Sequence, residues 1–204
     1  MSHGAPPHLS LRPPDAAHVD HRVLLRGVSW QQYEALLASR GERSGNRMTY
    51  LRGALEIMSP SYEHEAFKKT WARLLETYAE ESGIELVGCG SWTVRSESDE
   101  RGLEPDECYK IGVRDVTAPD LALEVIWTSG LLDKMEVYRG LRVREVWVWR
   151  DGRIEVSVLR GDAYERAARS ELLPDLDLDA IAKLVTRADQ TTAVREYRAS
   201  LRRK

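Results

Sequence analysis

The chain has 204 residues, 42% of them hydrophobic, which is enough to bury one sizeable core and short for two independent ones. Its 30 basic and 33 acidic side chains leave a formal net charge of −3, so there is no broad basic surface of the kind that marks a nucleic-acid binder, and a DNA partner has to be argued from a site. Two cysteines, Cys89 and Cys108, are too few for a disulfide scaffold. No run approaches the roughly 18 apolar residues of a membrane span, and the N-terminus shows no cleavable signal, so the expectation is a cytoplasmic protein without a membrane partner.

Residues 1–22 are rich in Pro and His with no apolar period, and are expected to form a flexible leader. One folded domain is expected over 23–187. It starts with a short helix over Ser29 to Ser39, where Tyr33, Leu36 and Leu37 recur at helical spacing behind a Ser29 cap. Met48 to Leu51 and Ala54 to Met58 suit a hairpin turned at Gly53, and SPS at 59–61 supplies the next helix cap. Phe67, Trp71, Leu74, Leu75 and Tyr78 then lie on one helical stripe, which Gly83 ends.

Ile84 to Arg95 predicts a strand interrupted by Gly88 and Gly90, and SESDERG a charged turn before a short strand from Asp106 to Ile111. Ala118 to Trp127, apolar at nearly every position except two acids, predicts a strand buried on both faces. A helix follows from Thr128 or Ser129 to about Arg139, stopped by Gly140, and VREVWVW gives another buried strand. Arg153 to Leu159 and Ala163 to Ala168 form a hairpin series, Leu178 to Val185 an amphipathic helix, and 188–204 a basic, exposed helix or tail. The fold class is α/β, a mixed β-sheet flanked by helices.

The chemistry concentrates between Gly102 and Tyr138. Alternation in the strand 118–127 puts Asp120 and Glu124 on one face. Two unpaired carboxylates on so apolar a strand would each cost several kcal/mol to bury, and a divalent cation is the natural partner. Mg²⁺ or Mn²⁺ fits, because hard cations take oxygen ligands and leave positions open for water and phosphate. Asp106 belongs to the preceding strand, where Pro105 holds Glu104 extended and fixes the approach of the chain, so Asp106, Asp120 and Glu124 are the expected metal ligands. Lys134 falls in the following helix, where its charge would orient the attacking water or neutralise a pentacoordinate phosphate.

GLEPDECY, APDLALEV and DKMEVYRGLRVREVWVW, with LRGALEIMSPSYEHE upstream, resemble the Uma-two family of putative restriction endonucleases, a branch of the PD-(D/E)XK superfamily. The resemblance covers about residues 30–178. It implies a restriction-endonuclease-like core, metal-dependent hydrolysis of DNA and a homodimer. Carried over, Asp106 resembles the metal-binding aspartate, Glu124 the acid of the (D/E)XK strand, and Lys134 a catalytic lysine moved to the next helix. Two residues after Glu124, where the superfamily usually has lysine, stands Ile126.

Each feature also has a plainer reading. Asp106 could cap a turn, and Lys134 could be a solvated helix lysine. His64 shares the helix stripe with Phe67 and is either a site residue or a satisfied structural histidine. Glu56, on a strand face with Ala54 and Met58, and Tyr138, on the face of Lys134, are accessory candidates. Four tryptophans, Trp71, Trp127, Trp147 and Trp149, read as core or interface. No Gly-rich phosphate loop, GxSxG elbow or activated Cys or Ser nucleophile is evident, which favours metal-activated water. The alternative is a catalytically inactive nuclease-fold protein acting in binding or assembly, and Ile126 is the residue that favours it.

Overall fold

A computed structural model describes residues 20–41, 45–112, 118–126 and 130–203. The strands are β1 (His21–Arg26), β2 (Arg47–Leu51), β3 (Ala54–Ser59), β4 (Leu86–Gly90), β5 (Val94–Ser96), β6 (Arg101–Leu103), β7 (Glu107–Ile111), β8 (Leu121–Val125), β9 (Glu145–Arg150), β10 (Arg153–Arg160) and β11 (Ala163–Ala167). The helices are α1 (Trp30–Arg40), α2 (Tyr62–Ser82), α3 (Lys134–Gly140), α4 (Leu178–Val185) and α5 (Gln190–Leu201).

These strands make two sheets, where the sequence suggested a single one. Five are ordered β1-β3-β2-β6-β5 and six are ordered β11-β10-β9-β8-β7-β4. The larger sheet is mixed, with β8 and β9 parallel and its other pairs antiparallel.

Period-two alternation in β8 decides the layering. Leu121, Leu123 and Val125 face α2, α4 and α5, where they bury Phe67, Trp71, Leu74, Ile181 and Tyr197. Ala122 faces the other way, with Val146 and Val148 of β9, and packs against Val137 and Tyr138 of α3 and Leu103 of β6. The smaller sheet is closed by α1 through Trp30, Tyr33 and Leu37 over Tyr50 and Leu55.

Caps fix the helices where the sequence placed them. The Ser29 hydroxyl accepts the Gln32 N–H and the Gln32 side chain accepts the Ser29 N–H, a reciprocal pair that satisfies two of the free donors of a helix start. Ser61 accepts the His64 N–H, and Gly83 takes the left-handed conformation that ends α2.

Several expectations need correction. The long strand 84–95 is two strands in different sheets, because a bulge between Gly88 and Gly90, with Gly90 at φ 60°, releases the chain from β7 before β5. The charged turn hides β6, three residues too short to show a period, which pairs with both β2 and β5. Strand β1 begins at His21 and Asp20 is buried, so residues 20–22 are part of the packed structure and not of a leader. Helix α3 starts later than expected, at Lys134, with Asp133 as its cap; Trp127, Thr128 and Ser129 lie outside the described residues. The C-terminal segment is not a solvated tail. Ala193 and Tyr197 of α5 are buried, and Arg198 and Arg202 pair with Glu80 and Glu81 of α2.

Trp71 is fully buried where β8 meets α2. Truncation to alanine should cost about 3–5 kcal/mol in a urea unfolding curve, and a loss under about 1 kcal/mol would show that this contact does not anchor the core.

Candidate functional site

The β7–β8 register builds the site. Glu107 lies opposite Leu123 and Cys108 opposite Ala122, so continuing the same register would bring Asp106, just before β7, to Glu124. The Asp106 Oδ2 accepts the Val125 N–H at 2.6 Å, which continues the ladder by one side-chain bond and fixes the carboxylate. Its Oδ1 meets the Arg47 guanidinium and lies 3.0 Å from His64 Nε2. Asp106 is completely buried, and its Oδ1 lacks a hydrogen bond of normal geometry.

Glu124 is also buried. Lys134 Nζ donates to its Oε2 at 2.7 Å, and the Tyr138 hydroxyl donates to its Oε1. Lys134 opens α3, and Val137 and Tyr138 anchor that helix in the core, so the ammonium points back at β8. Burial first, then the Glu124 carboxylate, push the Tyr138 hydroxyl well above its ordinary pKa, so it remains a protonated donor at neutral pH. Ile126, in the place of the superfamily lysine, packs against the same apolar cluster as Val137.

Asp120 shares this face but not this site. At about 3.3 Å per residue it stands about 13 Å along the strand from Glu124. There it pairs with Lys110 at 3.2 Å, accepts the Ile111 N–H and lies 3.6 Å from Arg144. The expected trio of Asp106, Asp120 and Glu124 is therefore a pair, because four residues of extended chain separate the two acids of β8.

Glu56 is a tether. It pairs with Arg22 at 2.6 Å and accepts the N–H groups of Leu131 and Leu132, which ties the segment before α3 to β3 and holds Lys134 over the site. His64, in the first turn of α2, bridges two acids, with Nδ1 3.0 Å from Asp20 Oδ2 and Nε2 facing Asp106. Burial pulls the His64 pKa below 6.5 and outweighs Asp20, with the Arg47 and Lys134 charges adding to burial. Burial works to raise the Asp20 carboxyl, but His64, the Ser61 N–H and Arg22 together hold it below its ordinary range.

Three residues escaped the sequence reading. Asp20 and Arg22 lay in the presumed leader, and Arg47 opens β2, which the sequence reading began at Met48. Only an acid and a base two residues apart before an apolar alternation hinted at the first two.

Two cavities flank the pair. One of about 450 Å³ is lined by Glu124, Lys134, Tyr138, Arg22 and Arg150, and another of about 630 Å³ by Arg40, Arg47, Lys68, Glu65 and Trp92. Acids share both linings, Glu65 and Glu104 in the larger cavity and Asp133 and Glu155 beside Glu124 in the smaller, and Asp106 lines neither.

A family model described as putative restriction endonuclease matches residues 30–189. The chain belongs to this family, Uma-two. Its mixed α/β architecture is restriction-endonuclease-like. In this Uma-two chain the match takes in Arg47, Glu56, His64, Asp106, Asp120, Glu124, Lys134 and Tyr138, and leaves out Asp20 and Arg22. No curated protein matches. Among the described residues no helix of this Uma-two chain is long and apolar enough to cross a membrane.

Replacing Glu56 with alanine leaves the half-buried Arg22 with only the longer Asp20 contact and removes the acceptor of two N–H groups. The expected loss is roughly 3–5 kcal/mol by chemical denaturation, against much less for Glu56→Gln, and equal stability of Glu56→Ala and wild type would remove the tether. A depressed His64 pKa means that, below pH 6.5, the unfolded chain binds a proton the folded one resists. In the metal-free protein, stability should therefore fall as pH drops from 7.5 towards the lowered pKa, by at most about 1.4 kcal/mol per unit from this group. The difference between wild type and His64→Gln isolates it; parallel pH profiles would contradict the assignment.

Proposed function

We propose that this protein is a divalent-metal-dependent endonuclease that hydrolyses DNA phosphodiester bonds, with Asp106 and Glu124 holding Mg²⁺ or Mn²⁺ and Lys134 acting on the attacking water. The observation that carries the reading is that Asp106 is bonded to the N–H of the residue after Glu124, that both acids are buried, and that a lysine lies 2.7 Å from Glu124.

The residues fit a hard cation. Both acids are oxygen donors, and each carboxylate oxygen retains a second lone pair beyond the donor that orients it, with the Arg47 guanidinium on Asp106 Oδ1 as the group a cation would displace. Among the described residues no three His, Cys, Asp or Glu form a ready cage, so a cation held here would take its remaining ligands from water and phosphate. A cation bound here would supply Lewis-acid polarisation of the phosphodiester and a lowered pKa for water.

The chain's own groups do the rest. Val125 N–H and the Tyr138 hydroxyl hold one oxygen of each carboxylate, so neither acid has to reorganise on binding. Lys134 keeps a positive charge within reach of Glu124, where it can donate to the incoming water and offset charge growing on the phosphate oxygens. Arg22 and Arg150 on one side, and Arg40, Arg47 and Lys68 on the other, offer phosphate contacts along the strand.

A second reading, an inactive nuclease fold used in binding or assembly, draws on Arg47, whose guanidinium already meets Asp106 Oδ1 as an internal counter-charge. A homodimer is the assembly implied by the family resemblance.

Supercoiled plasmid incubated with Mg²⁺ or Mn²⁺ separates the readings. Wild type should nick it, Asp106→Ala should abolish nicking, and Lys134→Ala should slow it about 10²–10³-fold. Equal cleavage by wild type and Asp106→Ala would show that the activity lies elsewhere or belongs to a contaminant.

A further inference from the structure

We propose that His64 is a direct ligand of the site's cation through Nε2, with Asp20 holding the ring in the ligating tautomer, and that this makes the site select Mn²⁺ over Mg²⁺. The inference rests on the cation reading of Asp106 given above.

Asp20 is tied down on both oxygens. Oδ1 accepts the Ser61 N–H at 2.9 Å, at the cap of the helix that carries His64, and Oδ2 lies 3.0 Å from His64 Nδ1 and 3.4 Å from Arg22. A carboxylate with no proton of its own can only accept, so Nδ1 carries the hydrogen and donates it to Asp20. In the neutral ring Nε2 then presents a lone pair, and it points at Asp106 Oδ1, 3.0 Å away. Both atoms are buried, and Asp106 Oδ1 also meets the Arg47 guanidinium. Two buried acceptors at that distance repel unless a cation lies between or beside them, a place that the Arg47 guanidinium holds on the Asp106 side in the metal-free chain.

A carboxylate on the far nitrogen of a ligating imidazole is the usual means of fixing its tautomer and direction. Asp20, Ser61 and His64 are bonded in one chain, so the strand start and the cap of α2 set the aim of the ring before any cation arrives.

The choice of ion follows from the donors. Mg²⁺ prefers oxygen, whereas an imidazole nitrogen is a good ligand for first-row transition ions. Asp106 alone would serve either; His64 tips the balance towards Mn²⁺. The competing arrangement is an imidazolium bridging Asp20 and Asp106, in which the ring occupies the cation's place alongside Arg47.

Calorimetric titration of the full chain with MnCl₂ and with MgCl₂ distinguishes these. Wild type should bind Mn²⁺ at least about tenfold more tightly than Mg²⁺. His64→Gln should weaken Mn²⁺ about tenfold or more while changing Mg²⁺ little, and Asp20→Asn should weaken Mn²⁺ in the same sense. Unchanged or tighter Mn²⁺ binding in folded His64→Gln would overturn the proposal and leave the Asp106–Glu124 reading standing. No binding of either ion by wild type would overturn both.

Should the variants not fold, proton NMR of the wild type with Co²⁺ gives an independent answer. Ligation through Nε2 predicts a hyperfine-shifted exchangeable Nδ1–H resonance that disappears in D₂O, and a spectrum without it would also overturn the proposal.

Discussion

The antiparallel register of β7 on β8 is the constraint on which the site depends. It sets Asp106 across from Glu124, and the side-chain bond from Asp106 to the Val125 N–H locks that register at the strand end. A slip of one residue would turn Glu124 towards the apolar layer under α2 and bring Leu123 or Val125 to the site. The alternation of Leu121, Leu123 and Val125 against Ala122 and Glu124 forbids this slip, because the helices of one layer bury the first set completely. Packing on one face of the strand thereby fixes the chemistry on the other.

Burial of so many carboxylates is tolerable only because each has a specific counterpart. Asp106 has Arg47 and His64, Glu124 has Lys134 and Tyr138, Glu56 has Arg22 and two N–H groups, and Glu104 has Arg40 with the Met48 N–H. These pairs connect β1, β2, β3, α2 and α3 to the edge of β7 and β8. A buried charge whose partner is removed costs several kcal/mol, so the network resists piecemeal change even where its net contribution to stability is small.

Much of this could be read in the sequence, for identifiable reasons. Amphipathic α2 and α4, the hairpin β2–β3 and the caps Ser29 and Ser61 have strong local signals, and the two acids of an otherwise apolar β8 stood out because burial makes them expensive. Asp106, Glu124 and Lys134 were read together because the family's motifs occur in order, and in the structure Lys134 bonds Glu124 and Asp106 bonds the Val125 N–H. The assignment of Asp120 to the same site failed for a metric reason: sharing a face says nothing about distance along it, and Lys110 and Arg144 hold Asp120 a strand-length away. Asp20, Arg22 and Arg47 were invisible because their roles arise from contacts 34 to 59 residues away in the chain, as Arg22 with Glu56 and Arg47 with Asp106 show. β6 was missed because three residues carry no period, though it sits between two partners in its sheet.

The central claim is that Asp106 and Glu124 receive a divalent cation. A crystal grown with MnCl₂, and diffraction data collected at the manganese absorption edge, test it most directly. The account predicts an anomalous peak at direct-ligand distance from the Asp106 carboxylate, on the Glu124 side, with the Arg47 guanidinium displaced from Oδ1. A peak elsewhere in the protein, or no peak with Arg47 still seated on Asp106, would contradict it.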